Sequence, residues 1–129
     1  MKKNFHPGDK MVYRRKVEES DQAIFHDELL HPVCSTFALA RDFEWSSRLF
    51  FVEMKESDEE GVGTLLSIEH KHPAFVGEVI EFTATIENID GMELFCAIEA
   101  HVRGRLIATG RTGQKMLKKE KLDAIFSKP

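Results

Sequence analysis

Cysteine is scarce in this chain: Cys34 and Cys96 stand far apart and form no C-x-x-C spacing. That excludes a disulfide framework or a cysteine zinc site and leaves two reduced thiols. Long hydrophobic runs are also lacking. The longest is about half of what a membrane span requires, and the opening MKKNFHPGDK carries lysines with no apolar segment behind them to make a signal peptide. A cytosolic protein with no membrane partner is expected. Nor does one sign of charge dominate: 18 Lys and Arg stand among 22 Asp and Glu, for a formal net charge of −4. With no basic stripe to follow a phosphate backbone, nucleic acid is not an expected partner. Repeats, low-complexity tracts and linkers are missing as well, so residues 1–129 read as one domain, too short for two ordinary ones.

What is present is a change of period along the chain. The HPGD stretch at 6–9 is a turn signal, and KMVYRRKV after it reads as a short strand. Residues 18–33 mix charge with Ile24, Phe25, Leu29 and Leu30, and read as a connecting segment folded over something apolar. From Thr36 to about Met54 the period is helical. Thr36, Ala40, Glu44, Ser47 and Phe51 recur at three to four residues, while Arg41, Asp42 and Arg48 lie elsewhere on the wheel. The small residues Ala40 and Ser47 suit a helix that a sheet approaches closely. KESDEEG then ends it at Gly61.

Beyond Gly61 the period becomes two. Val62, Thr64, Leu66, Ile68 and His70 share one strand face, and Gly63, Leu65, Ser67, Glu69 and Lys71 the other. After the Pro- and Gly-punctuated HPAFVGE, EVIEFTATIENI alternates in turn. A DG turn at 90–91 leads to MELFCAIEAHV, and RGR at 103–105 to LIATGRTGQKML. The tail KKEKLDAIFSKP is helical or irregular. The order is strand, long helix, then four strands expected to form an antiparallel meander.

This order, with HPAFVGE between the first two strands of the meander, resembles the hotdog fold, an α+β fold in which an antiparallel sheet wraps one long central helix. Within it the chain resembles the fluoroacetyl-CoA thioesterase-like family of acyl-CoA thioesterases, from HPGDKM to KLDAIF. The specific points are Thr36, eight residues before Glu44-Trp45, and Gly63-Thr64, six residues before His70. The resemblance implies catalytic roles for Thr36, Glu44 and His70, an acyl-CoA substrate, no cofactor or metal, and a homodimer or higher oligomer. Gly63, Thr64, Phe37, Leu30 and Gln114 become candidate substrate-binding residues. The last strand departs from the family pattern: it reads GRTGQK, with Gln114 where the family carries arginine. No aromatic screen is evident around Leu29 and Leu30, so the expected substrate is a small or medium acyl thioester rather than a fluorinated one.

Thioester hydrolysis needs a placed hydroxyl or water, a base, and donors for the oxyanion. Thr36, Glu44 and His70 supply the first two, and backbone N–H groups around Thr36 and Phe37, or at Gly63-Thr64, could supply the third. Eight helical residues span about 12 Å, so Thr36 and Glu44 cannot touch on one straight helix. His70, from this chain or a second copy, is the natural bridge. Each residue also has an ordinary reading: a helix-start hydroxyl, a solvated carboxylate and a satisfied structural histidine.

Other groupings are weaker. Cys34 with His31 mimics a nucleophile pair, but a semi-buried free thiol is the commoner case. His70 and His72 share a face but lack a third metal ligand. Trp45, Phe50 and Phe51 read as packing. A non-catalytic hotdog module that binds an acyl thioester or a partner protein is the alternative function. A hydratase is disfavoured, because no Asp precedes a His by five residues in a Gly-Asp-x-Asn-Pro setting.

Overall fold

The structure, a computed structural model, describes residues 1–127. Its elements are β1 (Lys10–Lys16), β2 (Gln22–Phe25), β3 (Glu28–Cys34), α1 (Thr36–Met54), β4 (Glu59–His70), β5 (Val79–Asp90), β6 (Glu93–Val102), β7 (Arg105–Lys118) and α2 (Lys119–Phe126).

Helix α1 forms where the period predicts it. Ser35 caps it, its hydroxyl accepting from Ala38 N–H at 3.0 Å, a cap of about 1 kcal/mol. The chain leaves the helix at Lys55 in extended conformation. The buried face is Leu39, Phe43, Phe50, Phe51 and Met54, each adding roughly 1.5–3 kcal/mol by burial. Thus the core stripe is rotated from the expected one: Thr36, Ala40 and Glu44 run along its edge. Ser46 and Ser47 are buried without penalty because their hydroxyls donate back to Phe43 O at 2.9 Å and Glu44 O at 3.0 Å. From the sheet, Phe82 meets Phe43 edge to face, with centroids 5.9 Å apart.

The helix lies on a five-stranded antiparallel sheet of order β1-β5-β6-β7-β4. Only β5, β6 and β7 form a meander. The strand expected to begin it, β4, pairs instead with β7, placing His70 opposite Ala108. Alternation predicts a strand and its faces but not its neighbour. Here residues 71–78 carry the chain past the β6–β7 turn, so that β5 fills the gap between β1 and β6.

A second departure lies inside β4. The register slips between Gly63 and Leu65, a bulge at Thr64. Bulges reverse the phase of alternation: Gly63 faces α1 on one side of it, and His70 faces α1 on the other. Thr64 therefore does not share the continuous face expected of it. The 18–33 segment is also more ordered than expected. A 3₁₀ turn at Glu19–Asp21 leads into a separate β2–β3 hairpin, turned by His26 and Asp27 at φ of 54° and 62°.

Candidate active site

Thr36 is the first residue of α1, and His70 the last of β4. Their side chains share a hydrogen bond, Thr36 Oγ1 to His70 Nδ1, at 3.0 Å. The other ring nitrogen, His70 Nε2, is buried and has no hydrogen-bond partner among the described residues. An imidazole with one nitrogen on a hydroxyl and the other uncommitted can pass a proton in one direction and accept support from the other.

Glu44 is not at that bond. It sits two turns along α1, half exposed, its Oε1 3.2 Å from Arg48 Nη2. The carboxyl rests against Gly63, where a Cβ would run into it, so the Gly-Thr pair clears room for this carboxylate. A cavity of about 310 Å³ lies there, lined by Glu44, Gly63, Thr64, Leu65 and Leu66. Another, of about 280 Å³, opens beside the histidine and is lined by Val33, His70, Lys71, His72 and Pro73. The protomer thus holds two separate partial sites along β4, one beside its middle residues 63–66 and one at its His70 end.

Gln114, expected to meet substrate, opens on neither cavity. It is only 1% exposed, and its amide N–H groups donate to Glu44 O at 3.0 Å and Ser47 Oγ at 2.7 Å while its oxygen accepts from Arg48 Nε. It ties β7 to α1 and aims Arg48 at Glu44. Phe37 and Leu30 are exposed, on the first turn of α1 and on β3. The Cys34–His31 pair does not form: His31 is exposed, and burial, aided by the Asp21 and Asp42 charges, pushes the Cys34 thiol up to about 11.

Two groups escaped the sequence reading. Arg48, placed off the functional stripe, is the ion partner of Glu44; its i,i+4 spacing was the available signal. The second is a charge cluster at the base of the hairpin. Arg41 Nη2 reaches Asp21 Oδ1 at 3.1 Å and Asp42 Oδ2 at 2.9 Å, and Arg15 Nη2 reaches Asp21 at 3.3 Å. Burial pushes the Asp21 carboxyl up, but the Glu18 N–H and the two guanidiniums outweigh it and hold it below the usual range. Asp21 O also accepts from Ser35 N–H, so hairpin and helix start are clamped together. No local sequence signal joins residues this far apart.

A sheet folded over one long central helix is the architecture of the hotdog fold. A Thermus thermophilus hypothetical protein, a thioesterase superfamily member, is 28% identical with a TM-score of 0.92, over 96% of this chain and 92% of that one. The fluoroacetyl-CoA thioesterase FlK superposes with a TM-score of 0.89 at 19% identity, over 98% and 99% of the two chains. A hot-dog-like protein from Thermanaerovibrio acidaminovorans gives 0.87 at 20%, over 95% and 90%. No curated protein sequence matches. The family model described as fluoroacetyl-CoA-specific thioesterase matches residues 17–120, and the chain belongs to that family. It is a thioester hydrolase of the acyl-CoA thioesterase class. Among the described residues no helix is long and apolar enough to cross a membrane.

Proposed function

We propose that the protein, working as one domain over residues 1–129, hydrolyses small or medium acyl-CoA thioesters at sites completed by pairing two copies. The observation that carries this is the separation of the two partial sites. Gly63 and His70 lie seven residues apart on β4, about 23 Å, too far for Glu44 to serve its own His70. Yet β4 is an edge strand whose Leu65 and Leu66 are 50% and 47% exposed, the kind of edge that seeks a partner. Antiparallel self-pairing centred near Ser67 sets Gly63 of each copy opposite His70 of the other. Two-fold symmetry makes both sites at once. The bulge at Thr64 supports the register, because without it Gly63 and His70 would face opposite sides of the sheet.

In that arrangement the Thr36 hydroxyl donates to His70 Nδ1, and His70 Nε2–H donates to Glu44 of the partner subunit. This is nucleophile, base and orienting carboxylate. Thr36 Oγ1 attacks the thioester carbonyl and its proton passes to His70, which returns it to the departing CoA sulfur. Water then cleaves the acyl-threonine, again with His70 as base. The first-turn N–H groups of α1 have no intrahelical acceptors; Ser35 takes that of Ala38, and those of Thr36 and Phe37 support the oxyanion. Leu30 and Phe37 offer the acyl chain apolar surface without an aromatic cage.

The test is thiol release over acyl-CoA chains of increasing length. Turnover that peaks at a short or medium chain is expected; no release from any chain at micromolar enzyme would overturn the proposal.

A further inference from the structure

The face of β7 that meets α1 carries a side chain out of keeping with its place. Thr112, Gln114 and Met116 are all buried there, and an apolar residue would fill the position of Gln114 at lower cost, because a buried amide must have both of its ends paired. Among the described residues, every side-chain hydrogen bond of Gln114 goes to residues 44–48 of α1. Its N–H groups are taken by Glu44 O and Ser47 Oγ, at 3.0 and 2.7 Å, which leaves its oxygen to face Arg48 Nε. An amide turned the other way would set N–H against N–H. Ser47 closes the ring by donating to Glu44 O at 3.0 Å.

Arg48 is thereby fixed along its length. Its stem lies beside Gly61, where a Cβ would come within 3.4 Å of Cδ, its Nε is on Gln114, and its Nη2 reaches Glu44 Oε1 at 3.2 Å. The two members of this ion pair differ in exposure: the Arg48 side chain is 19% exposed and that of Glu44 48%. In the pairs of Arg14 with Glu81 and Lys71 with Glu69, both members lie open to solvent. A pair between two mobile surface chains adds little to stability; here the cation is held and the carboxylate is presented. The oxygen that Arg48 holds, Oε1, is also the one that a Cβ on Gly63 would strike. Glu44 Oε2 makes no hydrogen bond among the described residues. Glu44 lines both the cavity at Gly63 and a second, of about 490 Å³, over α1, so the carboxylate has open space beside it.

We propose that Arg48 is a positioning residue for thioester hydrolysis: braced by Gln114, it fixes Glu44 Oε1 against Gly63 and leaves Oε2 as the oxygen that receives the Nε2–H of His70 of the partner subunit. This rests on the hydrolase reading and deepens it, because the carboxylate that orients the imidazole is itself oriented by a cation four residues along the helix. A carboxylate left to rotate would offer either oxygen in many poses. Misplacement of a catalytic group by about 1 Å can cost about a hundredfold in rate.

Steady-state thiol release by the parent, Arg48→Met, Arg48→Lys, Glu44→Gln and the double variant Glu44→Gln with Arg48→Met tests it, with each fold checked by circular dichroism at the assay temperature. Methionine keeps an unbranched stem and suits a helix. Arg48→Met should lose about tenfold or more in kcat with KM within about twofold of the parent. Arg48→Lys should recover part of that loss, because an ammonium at this position still reaches Glu44 but has no Nε for Gln114. In the Glu44→Gln background Arg48→Met should cost less than about twofold more, since the two residues act as one unit; a residue that merely stabilises the helix would cost the same again. Parental kcat in Arg48→Met, or a full second loss in the double variant, overturns the positioning role and leaves the hydrolase in place. A parent that releases no thiol overturns the hydrolase reading and this role together.

Discussion

Thr36 Oγ1 and His70 Nδ1 meet at 3.0 Å across the junction of helix and sheet, while Glu44, on the same helix as Thr36, rests against Gly63, seven residues from His70 on the same strand. The consequences can be measured.

If a site is shared, two inactive variants should rescue one another. Mixed His70→Ala and Glu44→Gln chains form heterodimers with one intact site, so co-refolding should restore about a quarter of parental activity. No recovery, with heterodimers verified by mass, would place the three groups in one subunit.

Edge pairing itself is open to a charge. Leu66→Lys places a cation on the exposed part of β4 and should shift sedimentation from dimer to monomer, with loss of turnover. A parent that sediments as a monomer at micromolar concentration would contradict the shared site.

For Thr36 the discriminating readout is mass. During turnover of a slow acyl-CoA the intact protein should gain one acyl group, mapped to the peptide holding Thr36. Thr36→Ala should lose the adduct and at least about a hundredfold in kcat. Single-turnover spectra without an adduct would make Thr36 a positioning hydroxyl and Glu44 the activator of water.

Gly63→Ala probes the close approach to Glu44. Because the group in the way is the end of a flexible side chain, stability should change by no more than about 1 kcal/mol. Turnover should fall roughly tenfold or more as the carboxylate is displaced. Parental kcat in a folded variant would show that the carboxylate has no need of that space.

Acid should loosen the hairpin clamp. The Asp21 carboxyl is held below its usual value, so its contribution is present above the unfolded-state pKa of about 3.9 and is lost as pH falls through the lower folded value. Asp21→Asn should destabilise the protein by about 2 kcal/mol at neutral pH, and the difference from the parent should shrink below about pH 4. A constant difference across that range would show that the ion pairs are not its source.

The elements were legible in the sequence because their signals are local. The helical period from Thr36 foretold α1, and alternation foretold β4 to β7, since a side chain's face follows from neighbours a few positions away. The Thr-x₇-Glu-Trp and Gly-Thr-x₅-His spacings pointed to the three polar side chains before any distance was known. Residues 18–33 were not legible as a hairpin: positive-φ His26 and Asp27 replace the usual turn glycine, and the clamp on Asp21 comes from distant Arg15 and Arg41.

What the sequence determined by itself was therefore the inventory: one long helix, the alternating strands, and a hydroxyl, an imidazole and a carboxylate at family spacing. The tertiary structure decided how these meet. It paired β4 with β7, inserted the bulge that returns His70 to the helix side, buried Gln114 as the brace of Arg48, and held Glu44 away from its own histidine. Those outcomes depend on which strand fills which gap and on close approaches such as Gly63 to Glu44, which are balances among residues far apart in the chain and leave no periodic trace along it.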